Sequence, residues 1–222
     1  MGSRETTSAV ILSGGLDSSV ALWLAGREGE VCEVLSFDYG QRHRKELEAA
    51  AQIAAIFGST KHRILNLGDA LAGENALTGG LAVPHGHYAA ASMASTVVPY
   101  RNLVFLSIAA ARAAASGCGR IVYGAHAGDH PIYPDCRPVF VNALQYALNW
   151  GDQAPITIHA PFLNMTKAEI VALGVALDVP LAVTWSCYEG GEVHCGKCGT
   201  CVERREAFQL AGVADPTTYK ED

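Results

Sequence analysis

The chain has 222 residues, half of them hydrophobic and 17% charged, with a formal net charge of −6. That length and apolar content suit one α/β domain with a full core plus a small appendage, and they exclude a disordered or fibrous chain. The acidic balance disfavours a protein whose main work is gripping nucleic acid through its phosphates, although Arg42-His43-Arg44-Lys45 forms a local basic run.

No apolar stretch reaches the roughly 18 residues of a membrane span. The polar start Met1-Gly2-Ser3-Arg4-Glu5 does not read as a secretory signal, so a cytoplasmic protein is expected; Gly2-Ser3 also fits a cloning remnant.

In chain order, Ala9 to Leu12 predicts a buried strand. Ser13-Gly14-Gly15-Leu16-Asp17-Ser18-Ser19 follows as a turn, and Val20-Ala21-Leu22 begins a buried helix. Val31 to Phe37 predicts a second strand, ending in Asp38-Tyr39-Gly40-Gln41. A helix is expected from Arg44 to Phe57, stopped by Gly58, and a third strand from Lys61 to Leu67. Residues 68–99 read as an irregular lid or substrate loop. A helix from Leu103 to Ser116, a strand at Arg120 to Tyr123, a helix from Arg137 to Trp150 and a strand at Ile156 to His159 come next. Thr166-Lys167-Ala168-Glu169 then reads as a capping box opening a helix to Leu177. The alternation predicts an α/β fold with a doubly wound, mostly parallel sheet. We place its main domain at residues 8–180 and a C-terminal four-cysteine region at residues 181–222, packed on it.

The first turn has the chemistry of an anion site. Glycines allow a sharp bend and close backbone approach, and the helix start presents free N–H groups and positive dipole to a phosphate. A Walker A loop would need a lysine that is absent here, and a dinucleotide fingerprint would need a different glycine spacing. The turn is therefore the expected site for phosphate or pyrophosphate. Its S-G-G-x-D-S-S string resembles the PP-loop of the ATP pyrophosphatases, which cleave ATP to AMP and pyrophosphate; the resemblance implies an ATP site running from Leu12 to Leu22, with Asp38 at the end of the second strand.

Cys187, Cys195, Cys198 and Cys201 form C-x7-C-x2-C-x2-C among glycine turns. Four thiolates on tight loops suit one tetrahedral structural zinc per chain. An iron–sulfur cluster is the rival, although the trailing cysteine-proline of bacterial ferredoxins is missing.

The order of several further motifs narrows the resemblance: Asp38-Tyr39-Gly40-Gln41, Val98-Pro99-Tyr100-Arg101-Asn102, Tyr133-Pro134-Asp135-Cys136-Arg137, Asn164-Met165-Thr166-Lys167-Ala168-Glu169 and the cysteine tail. From about Ala9 to Phe208 the chain resembles the 7-cyano-7-deazaguanine synthase family of the queuosine pathway. The resemblance implies a ligase that converts 7-carboxy-7-deazaguanine, ammonia and ATP with Mg2+ to the nitrile, through an adenylated carboxylate and an amide. It also implies small-molecule partners, with no direct contact to nucleic acid or membrane; a homodimer is the expected assembly.

Lys167 and Arg101 are the candidate catalytic cations for charge that builds on the phosphates. Asp17 is the third candidate, orienting the loop or helping to hold Mg2+. Asp129 or Asp135 is expected to read the N–H edge of the base, with Tyr88, Tyr133, His126 or His130 stacking on or bounding the ring. The proton acceptor stays open among His85, His87, His126 and His130. Competing functions are a tRNA-acting PP-loop thiolase, an amide-forming paralogue, an iron–sulfur redox protein and a non-catalytic nucleotide-binding module.

Overall fold

Strand β1 (Ser8–Ile11) runs through the centre of the sheet, and its Ser8, Ala9 and Val10 are fully buried. Parallel sheets covered on both faces need such strands. The computed structural model describes residues 7–42 and 44–220. Gly2-Ser3 and the histidine of the basic run, His43, lie outside them.

Helix α1 (Leu16–Glu28), β2 (Val31–Asp38), α2 (Lys45–Phe57) and β3 (His62–Asn66) follow. After a long connection come α3 (Ala90–Met93), α4 (Arg101–Ala115), β4 (Arg120–Val122), α5 (Pro138–Leu148), β5 (Thr157–His159), α6 (Lys167–Ala176) and α7 (Gly199–Leu210). The five strands are all parallel, in the order β3-β2-β1-β4-β5. This is the doubly wound α/β sheet that the alternation predicts.

Successive strand residues point to opposite faces. Val10, Val34 and Val122 pack with α1, α2, α6 and α7. Ala9, Leu35 and Ile121 pack with α4 and α5. Ala207 and Phe208 of α7 share the first of these cores, and burying a side chain such as Phe208 contributes about 2–3 kcal/mol. Among the described residues no single helix is long and apolar enough to cross a membrane.

Three elements differ from expectation. Helix α1 begins at Leu16, so Asp17, Ser18 and Ser19 belong to its first turn; the Ser18 and Ser19 hydroxyls donate to the Gly15 carbonyl at 3.1 and 2.7 Å, drawing the loop into the helix. Helix α4 begins at Arg101, two residues early. Helix α7 is missed altogether. Its buried face carries Cys201 and Arg204 as well as Ala207 and Phe208, so no apolar stripe marks it. Arg204 is fully buried by bonds to Thr184, Ser186, Thr217 and the Leu181 carbonyl.

Candidate active site

The turn after β1 faces the carboxyl ends of the strands, where open α/β sheets bind ligands. Gly14 adopts φ +88°, and a Cβ there would lie 2.1 Å from the Glu46 carbonyl oxygen. Only glycine lets α2 pack so close to the loop. Gly124, leaving β4, is similar: its Cβ would meet the Asp17 and Ser18 backbone at 3.0 Å. Together they bring the ends of β1, β2 and β4 around one cavity of about 240 Å3.

Leu12, Ser13, Gly15, Leu16, Asp17 and Ser18 line that cavity. Ser18 Oγ accepts the Ser13 N–H at 3.2 Å, which fixes the loop. Ser19, Val20, Ala21 and Leu22 have no exposed surface and face the protein interior. Asp38 is also buried, held by Arg44 and by the Gly40 N–H, and is not part of the cavity lining. These five expected ATP ligands therefore shape the site from behind.

Lys167, at the start of α6, is presented by its capping box: Thr166 Oγ1 accepts the Glu169 N–H, and Glu169 accepts the Thr166 N–H at 2.7 Å. Its ammonium lies 2.6 Å from Asp17 Oδ2 and 3.3 Å from Glu203 Oε2. Burial alone would raise the Asp17 carboxyl, but Lys167 outweighs it and holds Asp17 below the ordinary range. Burial pushes Glu203 up. Lys167 itself stays charged, because burial is overcome by Asp17 and Glu203. Asp17 Oδ1 is buried with no hydrogen-bond partner among the described residues. A carboxylate oxygen left bare beside a phosphate-sized turn is a ready ligand for a hard cation.

Glu203 comes from α7 and had no signal in the sequence beyond its position two residues after a cysteine. His126 joins the same cluster. Its Nδ1 accepts the Gly128 N–H at 3.1 Å, and its Nε2 lies 3.3 Å from the Lys167 ammonium and 3.5 Å from Asp129 Oδ1. None of the four candidate histidines is in the cavity lining, but His126 lies directly behind it, against Lys167, Asp129 and Glu203. His85 and His87 pair at the surface with Glu189 and Glu206.

Arg101, Tyr88, Asp129 and Tyr133 also line the cavity. Arg101 bonds to the Tyr39 hydroxyl and lies 5.9 Å from the Tyr133 ring centre. Among the described residues no carboxylate forms an ion pair with it. Tyr88 OH donates to Asp129 Oδ1 at 3.1 Å, and Tyr133 OH bonds Thr96 Oγ1 at 2.8 Å. Asp135 is not brought in. Its Oδ2 accepts the Asn102 N–H at 2.9 Å, where it satisfies a free donor in the first turn of α4.

The four cysteine sulfurs lie within 4.8 Å of one another, and none is in a disulfide. Tetrahedral zinc with Zn–S bonds of about 2.3 Å would set them about 3.8 Å apart, so a small adjustment closes the shell. Cys187 Sγ accepts the Cys195 N–H at 3.3 Å, and Cys195 Sγ accepts the Cys198 N–H at 3.2 Å. Such donors favour thiolates, and the cluster can hold a metal ion. It also builds a cavity wall. Cys198 caps α7, which carries Thr200 and Glu203, and Gly86 N–H donates to the Lys197 carbonyl at 2.9 Å, tying down the segment that bears Tyr88.

The family described as "Queuosine biosynthesis protein QueC" matches residues 7–212. A 7-cyano-7-deazaguanine synthase of Paracoccus denitrificans (strain Pd 1222) is 50% identical over 218 residues, covering 96% of this chain and 92% of that protein. One from Rhizobium meliloti (strain 1021) is 52% identical over 217 residues, covering 95% and 90%. Among solved structures, an NH3-dependent NAD synthetase from Campylobacter jejuni aligns over 81% of this chain and 67% of that one, at 15% identity and a TM-score of 0.47, too distant to add to the assignment. The family match over nearly the whole chain and the identity to these relatives agree: the chain belongs to the QueC family of queuosine biosynthesis proteins.

Proposed function

We propose that this chain is an ATP-dependent ligase that converts 7-carboxy-7-deazaguanine and ammonia to 7-cyano-7-deazaguanine. The observation that carries the proposal is the single cavity shared by the PP-loop, the Lys167–Asp17 pair and the Tyr88–Asp129–Tyr133 wall, in a chain of this family.

The substrate carboxylate attacks the α-phosphorus of ATP, and pyrophosphate leaves. The N–H groups at the start of α1 and the Lys167 ammonium stabilise the charge that builds on the phosphates. Arg101, in no ion pair with a carboxylate among the described residues, holds the anionic acid. Asp17 orients Lys167 with one oxygen and offers the other to Mg2+ travelling with ATP. Ammonia displaces AMP to give the amide and loses a proton. The amide oxygen is then activated by a second ATP and leaves with AMP as the nitrile forms. Asp129, held by Tyr88, accepts an N–H of the base, while Tyr88 and Tyr133 bound the ring. Asp135 has no part in this site.

Zinc in the Cys187, Cys195, Cys198 and Cys201 shell is structural in this proposal, and residues 181–222 form the region it organises against the domain of residues 8–180. The assembly is a homodimer in this proposal: Val139 and Tyr146 on α5 and Trp150, in the turn that follows it, are all exposed, and Tyr146 and Trp150 meet edge-on. The nucleotide chemistry is tested by the products. AMP and pyrophosphate, formed only when the acid is present, are expected; ADP and phosphate would refute the mechanism.

A further inference from the structure

The turn after β2 and the start of α2 supply groups that this mechanism leaves unused. Gln41 is buried and fixed: its Oε1 accepts the Tyr39 N–H at 2.8 Å, and its Nε2 donates to the Phe37 carbonyl at 3.1 Å. The same Nε2 donates to Glu46 Oε1 at 3.0 Å. One oxygen of Glu46 is thereby pinned. Among the described residues no hydrogen bond holds the other, and no cation forms an ion pair with the group. Glu46 is half-buried and lines the cavity beside Phe37, Tyr39 and Phe105. Phe37 and Phe105 stack with ring centres 4.2 Å apart, and Tyr39 meets Phe105 edge-on.

A rigid carboxylate on an aromatic wall repels phosphate and suits a flat ring with N–H donors. We propose that Glu46 is a specificity-determining residue that accepts the ring N–H and exocyclic NH2 of the deazaguanine acid, an assignment that rests on the function proposed above. The free base carries donors at both ends: this paired edge, and the pyrrole N–H opposite. Glu46 follows β2 and Asp129 follows β4, with β1 and its PP-loop between them. Both carboxylates line the same cavity. In this assignment Glu46 takes the paired edge and Asp129 the pyrrole N–H, which selects a free base over a nucleoside.

The test compares 7-carboxy-7-deazaguanine with its 2-desamino analogue, by pyrophosphate release at saturating ATP. Wild type is expected to prefer the acid by about tenfold or more, because a buried acceptor left unpaired is costly. Glu46→Gln should raise the Michaelis constant for the acid about tenfold or more, reduce the preference to within about twofold, and leave the Michaelis constant for ATP near wild type. Glu46→Asp, which withdraws the charge by one methylene, should show an intermediate loss and serves equally where the glutamine variant does not fold. A wild type that treats both compounds alike, a preference that survives in Glu46→Gln, or one that disappears in Asp129→Asn instead overturns the assignment alone. No pyrophosphate from wild type with the acid overturns the proposed function and the assignment together.

Discussion

Replacing Lys167 with methionine removes the charge at the centre of the site and keeps most of the side-chain volume. The lysine is largely buried, 2.6 Å from Asp17 and 3.3 Å from Glu203. Without it, two carboxylates face each other in a poorly solvated cleft. Breaking a buried pair from one side costs about 3–5 kcal/mol. For a chain of this size that corresponds to a fall in Tm of roughly 10 °C. The pH dependence follows from Asp17. Its carboxyl is held below the ordinary 3.8, so the stability it contributes is present above pH 3.8 and is lost as pH falls through its folded value. The Lys167→Met penalty should therefore be full at pH 7 and shrink on acidification, as the stranded carboxylates take up protons. Adding Asp17→Asn should recover part of it, because the two groups act as a pair. Thermal unfolding of the four proteins from pH 4 to 8 measures this. A single variant that melts within about 1 °C of wild type at pH 7, or a penalty that grows on acidification, would refute the coupling. Turnover should fall about 100-fold or more with the lysine gone.

Three further outcomes are expected. Elemental analysis should find one zinc per chain, and Cys198→Ser should lower both Tm and affinity for the acid, since it removes a metal ligand at the start of the helix that carries Glu203 into the cavity. Asp135→Ala should cost about 1 kcal/mol of stability through its lost bond at the start of α4, with the Michaelis constant for the acid unchanged, whereas Asp129→Asn should raise that constant several-fold with little effect on melting. Burial pushes the Glu46 carboxyl up to about 7, against Arg101 and Gln41, so the stability it contributes is full below pH 4.5 and lost as pH rises through 7; wild type should lose stability relative to Glu46→Gln between pH 5 and 8.

Much of this site is local in the chain, and that part is legible in the sequence. The PP-loop, the Thr166–Glu169 capping box and the cysteine spacing each declare themselves within a short stretch of chain. The strands are legible because a parallel sheet demands apolar runs bounded by turns. What escapes is whatever depends on packing between distant elements. Asp129 and Asp135 look alike in sequence, and only the approach of Asn102 turns one of them into a capping group. Glu203 lies on a helix whose inward face includes a buried arginine, so its periodicity is masked. Glu46 reads as an ordinary first-turn acid until Gln41 and the aromatic wall are seen around it. Val20, Ala21 and Leu22, which follow the PP-loop in the sequence, are turned by the helix into the core.

The most direct test is mass spectrometry of the products from purified protein with 7-carboxy-7-deazaguanine, ATP, Mg2+ and ammonium. The nitrile, accompanied by AMP and pyrophosphate and with the amide appearing before it, is the predicted result. An acid that returns unchanged, or an amide that accumulates and never becomes nitrile, would contradict the proposed function.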